Sequence, residues 1–537
     1  LTQSYWPARQ SGALADITVG ELLRRVAAEV PERTALVEGI ADAAARRRWT
    51  YAELLRDSER AARALLAHFT PGEHVAVWAP NIPEWVVLEL GAALAGMVLV
   101  TVNPAFKPAE LAYVLGQSRA SGVFLVPEFR GNPMAESLAS VRGGLPHLRS
   151  VVSFSEWDAF LDAGSAAQAL PSPAPLDVVQ IQYTSGTTGF PKGAMLRHRG
   201  IVNNAKLIVD GMGMPDGSSW VNPLPLFHTG GCVLGALGCI WLRGAHVLLL
   251  AFDPELALEL IESERAVSIG AVPTMQIALL EAQARAPRDV SSLQRLIGGG
   301  AVMPAPLVQR AEATFGARFC NLYGQTECSP VATMTVPDDA VEDKAHTVGR
   351  GLPFTEVRIA DPLTGETVPC GVVGEICTRG YHVMLGYHDN PEATAEAIDG
   401  DDWLHTGDLG SMDERGYVRV QGRLKDMIIR GGENIYAREI EDTLFQHPAV
   451  AEAAVVGVPD EVWGERVAAF VRRANDDVTA AELFGWCRDN LATYKAPTRW
   501  VFVAEFPLTA SGKVQKFVLR NGYVDGAYAD AVESTGR

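Results

Sequence analysis

From residue 75 to residue 126, short apolar runs alternate with stretches whose apolar residues recur at helical spacing: 75–79, 84–95, 98–102, 109–117 and 123–126. The valine-rich runs are too short for helices and read as strands, and the stretches between them read as helices. Strands joined by helices run parallel, and a parallel sheet needs helices on its faces. The pattern therefore predicts an α/β fold. Upstream, Thr18-x-x-Glu21 and Thr50-x-x-Glu53 have the form of capping boxes that open helices. In the second of these helices Leu54, Ala61, Ala62, Leu65, Leu66 and Phe69 share one face. The α/β alternation resumes after a Pro/Ala/Ser-rich linker ending at Pro175. Beyond about Pro353 the texture becomes short strands and turns, with turns expected at 361–365 and 413–416. A last region has a helix expected at 438–446, strands at 453–458 and 467–471, and a capping-box helix at 479–491. We expect three parts: residues 1–421 as a large domain of parallel α/β subdomains plus a β-rich subdomain, 422–426 as a hinge, and 427–537 as a small mobile α+β domain.

Charge excludes one large class. The 537 residues carry 46 basic and 64 acidic side chains, a net of −18, whereas sequence-independent nucleic-acid binding needs an excess of Lys and Arg. Any phosphate site must be local, and two stretches supply local charge. Residues 192–206 hold Lys192, Arg197, Arg199 and Lys206 with no acid, and residues 495–520 set five basic side chains against Glu505 alone. The seven cysteines form no CxxC pair and mostly sit in apolar runs, so we expect reduced, buried thiols and a cytoplasmic protein. No signal-peptide order is visible at the start, and Glu89 and the Arg243-Gly244 pair interrupt the longest apolar runs, so no membrane span is expected. No HExxH, paired Cys/His spacing or GxSxG elbow occurs.

The segment richest in chemistry is Tyr183-Thr-Ser-Gly-Thr-Thr-Gly-Phe-Pro-Lys-Gly-Ala-Met195, directly after an apolar strand at 178–181. Glycines let backbone N–H groups close around an anion, hydroxyls add donors, and Lys192 adds a point charge. Thr184, Ser185, Gly186, Thr187, Thr188, Gly189 and Lys192 thus form a candidate phosphate cradle. It differs from the P-loop, because Pro191 and Gly193 stand where that motif has Gly and Ser or Thr.

This loop resembles the signature of adenylate-forming enzymes, the superfamily of acyl-CoA synthetases, firefly-type luciferases and peptide-synthetase adenylation domains. Four further segments extend the resemblance in the same order along the chain. Asn321-Leu-Tyr-Gly-Gln-Thr-Glu327 is similar to the magnesium and adenine segment, and Thr406-Gly-Asp-Leu-Gly410 to the ribose-binding turn. The stretch from Gly422 to Asn434 is similar to the interdomain hinge and thiol-tunnel segment, and Pro507-Leu-Thr-Ala-Ser-Gly-Lys513 to the catalytic-lysine loop.

The resemblance implies roles that the side chains can perform. Glu327 is a hard oxygen ligand suited to Mg²⁺, with Thr326 adding a hydroxyl. Tyr323 and Gly324 would border adenine, and the bare backbone of Gly299, Gly300 and Ala301 would admit a flat ring. Asp408 can accept hydrogen bonds from both ribose hydroxyls, and Arg423 is a nucleotide contact. Lys513 would bridge the carboxylate and the α-phosphate. Lys425 is the implied pivot, Gly431, Gly432 and Glu433 would border the pantetheine arm, and Arg430 and Lys495 would hold CoA phosphates. His228 resembles the gating aromatic near the acyl carboxylate, and it stands where amino-acid-activating relatives carry an aspartate. With Gly230, Cys232, Val233, Leu234, Gly298 and Gly299 it outlines a small apolar acyl pocket.

The implied cofactors and substrates are ATP, Mg²⁺ and coenzyme A, and the implied activity is an AMP-forming acyl-CoA synthetase acting on a medium- or long-chain fatty acid. An aryl acid, a carrier-protein acceptor and a luciferase-like relative without thioester synthesis stay open, as does a homodimer.

Overall fold

The computed structural model describes every residue except 185–190, 300–302, 432, 475–476, 509–513, 529–530 and 534–537. Its chain divides into two compact units. One holds Trp6–Val357 and Cys377–His405, and the other holds Leu1–Tyr5, Arg358–Ile376 and Thr406–Arg537.

In the larger unit the alternating region folds as its periodicity requires. Strands His74–Trp78, Val98–Thr101 and Gly122–Leu125 are separated by helices Pro83–Leu94 and Pro108–Gln117. Strand His74–Trp78 pairs parallel with both of the others. Both expected capping boxes are formed, with Thr18 and Thr50 each accepting from the backbone of the glutamate three residues on. On helix Tyr51–His68 the buried face includes Leu54, Ala61, Ala62 and Leu65. The sheet then gains Val178–Thr184, which pairs parallel with Val98–Thr101 on one side and antiparallel with Lys192–Arg197 on the other. Lys192–Arg197 in turn pairs antiparallel with Gly386–Tyr387. A second sheet of the same unit has a parallel core of Trp220–Asn222, His246–Leu249, Ser268–Ala271, Arg295–Gly298 and Arg318–Tyr323. Helices Pro254–Ser263, Pro273–Arg285 and Ala305–Phe315 cover its apolar core.

The two long apolar runs are accounted for by this architecture. One becomes helix Pro83–Leu94 and strand Val98–Thr101, and the other becomes a π-helical segment Gly230–Leu237, a short helix and strand His246–Leu249. No helix among the described residues is long and apolar enough to cross a membrane. None of the seven cysteines is in a disulfide; six are buried and Cys370 is half-buried.

In the smaller unit, Val450–Asp460 and Gly464–Arg473 form a long antiparallel pair, and Ala437–Phe445 and Ala480–Asn490 pack on it around Ile440, Leu444, Leu483 and Trp500. Helix Ala480–Asn490 opens on the capping box of Thr479 and Glu482. The turns expected at 361–365 and 413–416 are closed by backbone bonds of 2.8 and 2.9 Å. Residues 422–426 comprise the end of strand Val418–Arg423 and a 3₁₀ turn at Leu424–Asp426.

Helix Pro83–Leu94 is buried on nearly every side, and this puts Glu89 in the core at 2% exposure. Gln180 Nε2 donates to Glu89 Oε1 at 2.6 Å, and Gln182 Nε2 donates to Gln180 Oε1 at 2.8 Å and lies 3.1 Å from Cys232 Sγ. Burial pushes the Glu89 carboxyl up to about 8. A carboxyl whose folded pKa is raised contributes stability that is fully present below its unfolded pKa of roughly 4.3 and is lost as pH rises through the folded value. Glu89→Gln keeps an acceptor for Gln180 but cannot ionise. Thermal unfolding across pH 4 to 8.5 should show the variant matching the parent at the acid end and exceeding it increasingly toward the alkaline end. Parallel curves would mean that Glu89 is not the titrating group.

Candidate active site

The strand that enters the candidate phosphate motif is paired on both edges, and its antiparallel partner begins at Lys192. Thr184 pairs with Lys192 and Tyr183 with Gly193 across this ladder, and the Thr184 hydroxyl donates to the Lys192 carbonyl at 3.4 Å. The chain thus leaves and re-enters the sheet at adjacent positions, with the lysine at the point of re-entry. Residues Ser185, Gly186, Thr187, Thr188 and Gly189 lie outside the described residues.

On the neighbouring sheet, strand Arg318–Tyr323 ends in a 3₁₀ turn, Thr326–Cys328, which carries the candidate metal ligand. Thr326 and Glu327 are each 7% exposed. The turn has little freedom, for two reasons. First, the Asn204 side chain from helix His198–Gly211 clasps the backbone beyond it, accepting from Val331 N–H at 3.1 Å and donating to Val331 C=O at 2.8 Å. Second, a Cβ on Gly324 would lie 2.1 Å from the Pro330 carbonyl oxygen and 2.8 Å from Val331 Cα, so only glycine allows this backbone approach. Tyr323 is 9% exposed, and its carbonyl accepts from Ala332 N–H at 2.9 Å.

Glu327 Oε1 accepts a hydrogen bond from the Tyr387 hydroxyl at 2.7 Å, and Lys192 Nζ lies 5.1 Å from the centroid of the same tyrosine ring. The carboxylate of one motif and the ammonium of another therefore meet on a single side chain. Neither motif contains that residue. Burial and the adjacent Glu327 carboxylate hold the Tyr387 hydroxyl well above the ordinary phenol range, so it stays a proton donor.

His228 Nδ1 accepts from Gly230 N–H at 3.1 Å, which leaves the proton of a neutral ring on Nε2. Gly230, Cys232, Val233 and Leu234 are buried in the π-helical segment Gly230–Leu237. A Cβ on Gly231 would sit 2.3 Å from the Pro225 carbonyl, and one on Gly235 would sit 2.4 Å from the Asn222 amide. The glycines here let the segment lie flat against residues 222–226. Gly298 is bare for a similar reason, since its Cβ would press the Phe319 ring at 2.5 Å, while at Gly299 the nearest atom would be the Leu322 carbonyl oxygen at 3.3 Å.

In the smaller unit, Asp408 is 8% exposed and sits opposite Arg423 in the strand register, with the Arg423 Nε to Asp408 Oδ1 distance at 3.2 Å. The turn before it is braced: Gly407 N–H donates to Glu375 Oε1 at 2.9 Å and Asp408 N–H to the Thr406 hydroxyl at 3.1 Å. Lys425 lies in the 3₁₀ turn. Gly431 has a φ of +59°, and its Cβ would lie 2.8 Å from the Trp463 ring, whose face also carries the Arg430 guanidinium at 5.3 Å. Arg430 donates to the Tyr494 carbonyl at 2.7 Å. Glu433 is exposed and pairs with Arg430 across a short ladder. Lys495 is ion-paired with Glu439 at 2.7 Å.

Other basic residues of the two stretches are paired in the same way, Lys206 with Asp210 and Lys516 with Glu441. Gly300, Ala301, Gly432 and Lys513 lie outside the described residues.

An AMP-binding enzyme family model matches residues 23–388, and the model of the same family's C-terminal domain matches residues 439–513. The chain belongs to this family. It is thereby a member of the adenylate-forming superfamily that includes the acyl-CoA synthetases. It is similar over 95% of its length to YngI of Bacillus subtilis (strain 168), provisionally named an acyl-CoA synthetase, at 39% identity and with 97% of that protein covered. It is similar to the mitochondrial medium-chain acyl-CoA ligase ACSF2 of Macaca fascicularis at 37% identity, covering 96% of this chain and 89% of the relative. Among solved structures, ATP-bound MatB from Rhodopseudomonas palustris superposes with a TM-score of 0.87 at 31% identity, covering 95% of this chain and 99% of that one.

The site of this AMP-binding enzyme carries a direct steric test. Gly324→Ala would push a methyl group into the Pro330 carbonyl, which is backbone and cannot swing away. We expect a loss of roughly 1–3 kcal/mol in denaturant unfolding together with weakened nucleotide binding. A stability change within about 0.5 kcal/mol of the parent, the range of ordinary surface substitutions, would show that the 324–330 turn adapts.

Proposed function

We propose that the protein activates a carboxylic acid with ATP and passes the acyl group to the thiol of coenzyme A, and that the acid is a medium- or long-chain fatty acid. The observation that carries this reading is the convergence of Lys192 and Glu327 on Tyr387 beside the strands that flank the phosphate motif. An ammonium and a carboxylate held there suit a magnesium triphosphate better than any single charged ligand.

The reaction has two halves. A carboxylate is a poor electrophile, so its oxygen first attacks the α-phosphorus of ATP; the bond to the β-phosphate breaks, and acyl-AMP and pyrophosphate form. The coenzyme A sulfur then attacks the acyl carbon, the bond to AMP breaks, and the thiol proton is released. Lys192 and the 184–189 hydroxyls and amides hold the phosphates, Tyr323 and Gly324 border the base, and Asp408 with Arg423 binds the ribose. His228 faces the acyl carboxylate through its Nε2–H. Lys513 stabilises the charge that develops as pyrophosphate leaves.

Glu327 and Thr326 offer oxygen donors, which fits a hard divalent cation, and bound Mg²⁺ supplies neutralisation of the triphosphate charge. Lys425 is the proposed pivot of a 422–426 hinge, with Gly431, Gly432 and Glu433 bordering the pantetheine arm.

The fatty-acid assignment is supported by the apolar residues around Gly230–Leu237 and by the medium-chain acyl-CoA ligase named among the relatives. It fits a role in fatty-acid metabolism. Seven cysteines outside any disulfide suit a reducing compartment, which we take to be the cytoplasm.

A pyrophosphate-exchange screen tests the substrate class. Medium- and long-chain fatty acids should drive exchange and α-amino acids should not, because His228 offers no carboxylate to pair an amine. Exchange with an amino acid and none with fatty acids would overturn it. Lys513→Ala should lower acyl-AMP formation by at least about 100-fold, in line with the loss of one charge-stabilising donor. Thioester formation from supplied acyl-AMP should survive, and equal losses in the two half-reactions would refute the role given to Lys513.

A further inference from the structure

Tyr387 has no part in the chemistry above, yet it touches both charged groups on which that chemistry rests. Its position is fixed from several directions. Its backbone pairs with Ala194 in the strand that begins at Lys192, Leu385 N–H donates to the Met195 carbonyl at 2.9 Å, and His388 N–H donates to the Gly193 carbonyl at 2.8 Å. Tyr387 N–H donates to the Thr394 hydroxyl at 2.9 Å. The same segment also holds the main chain of its partner, because Met384 N–H donates to the Glu327 carbonyl at 2.9 Å. From this anchored backbone the hydroxyl reaches Glu327 Oε1 at 2.7 Å, and the ring face lies 5.1 Å from the Lys192 ammonium. A side chain used only for packing would need neither contact.

A carboxylate has about four lone-pair directions, so a donor on one oxygen leaves it able to ligate a cation while limiting its rotation. Hydrogen bonds of this kind to ligating carboxylates typically set metal affinity by about 10–100-fold. A cation over an aromatic face is held by the ring quadrupole, which restrains where Lys192 can sit. We propose that Tyr387 is a positioning residue that orients the Glu327 carboxylate toward the divalent cation of a bound nucleoside triphosphate and fixes its spacing from the Lys192 ammonium. This rests on the reading of Glu327 as the ligand of that cation.

The test uses the full chain with a non-hydrolysable ATP analogue and Mn²⁺, whose binding is followed by electron paramagnetic resonance. Tyr387→Phe keeps the ring under Lys192 and loses the hydroxyl. It should bind Mn²⁺ in the nucleotide complex about 10-fold more weakly, with an unchanged melting temperature, and its exchange rate should recover at saturating Mg²⁺. In a Glu327→Gln background the same change should cost nothing further, since a metal-ligating carboxylate is no longer there to orient. Tyr387→Leu, which also removes the ring face, should weaken binding of the metal-free nucleotide, whereas the Phe variant should not. Wild-type Mn²⁺ affinity in Tyr387→Phe, or an equal loss in both backgrounds, would overturn the inference alone. A parent protein that binds no Mn²⁺–nucleotide would remove the reading of Glu327 as well.

Discussion

Strand Val178–Thr184 lies where the first sheet changes direction. It pairs parallel with Val98–Thr101 on one side and antiparallel with Lys192–Arg197 on the other. Thr184 and Lys192 face each other at the end of that antiparallel ladder, so the ladder brackets the segment that we read as the phosphate motif. Ligand sites of open α/β sheets form at such ends, because the backbone groups there are not consumed by the ladder. The cost of the arrangement falls on the strand itself. Gln180 and Gln182 are buried at 0% and 2% exposure and must find partners within the core. They find each other, Glu89 and Cys232. The polar chain thus ties the strand under the phosphate motif to the apolar segment that we read as the acyl pocket.

Two glutamates show how the environment assigns different duties to one side chain. Glu89 is enclosed by a helix buried on nearly all sides, and its cheapest state is protonated, with Gln180 on one oxygen. Glu327 is also buried, yet it stands in a 3₁₀ turn with a phenol donating to it and an ammonium over the ring of that phenol. The first carboxyl is suited to specifying a core. The second is suited to a cation that arrives with its nucleotide.

The parallel core of the first sheet was legible in the sequence because each of its strands and helices carries its own period, and the observed elements fall within a residue or two of the expected ones at 75–79, 84–95 and 98–102. The capping boxes were legible for the same local reason. Contacts between segments distant in the chain were not. Tyr387 was not among the expected site residues, because neither its 60-residue separation from Glu327 nor its pairing with Ala194 leaves a local pattern. Asn204 was invisible as well, being one polar residue in a helix until the backbone of Val331 is brought against it. The glycines were legible in kind only. Gly324 was read as a nucleotide neighbour, and the structure adds that its bareness is demanded by Pro330.

Basic residues carry a related lesson about electrostatics in an acidic chain. Read along the sequence, the clusters at 192–206 and 495–520 looked like local reserves of positive charge. In the fold, Lys206, Lys495 and Lys516 each pair with a carboxylate from an aspartate or glutamate, and Arg199 lies 3.8 Å from Asp16. With 64 acids against 46 bases, a lysine has an acidic neighbour more readily than an acid has a basic one. A phosphate site in such a protein cannot rely on bulk charge. It has to be built from oriented backbone amides, hydroxyls and a cation whose position is fixed by something other than an acid, and the face of Tyr387 under Lys192 provides that restraint without neutralising the charge.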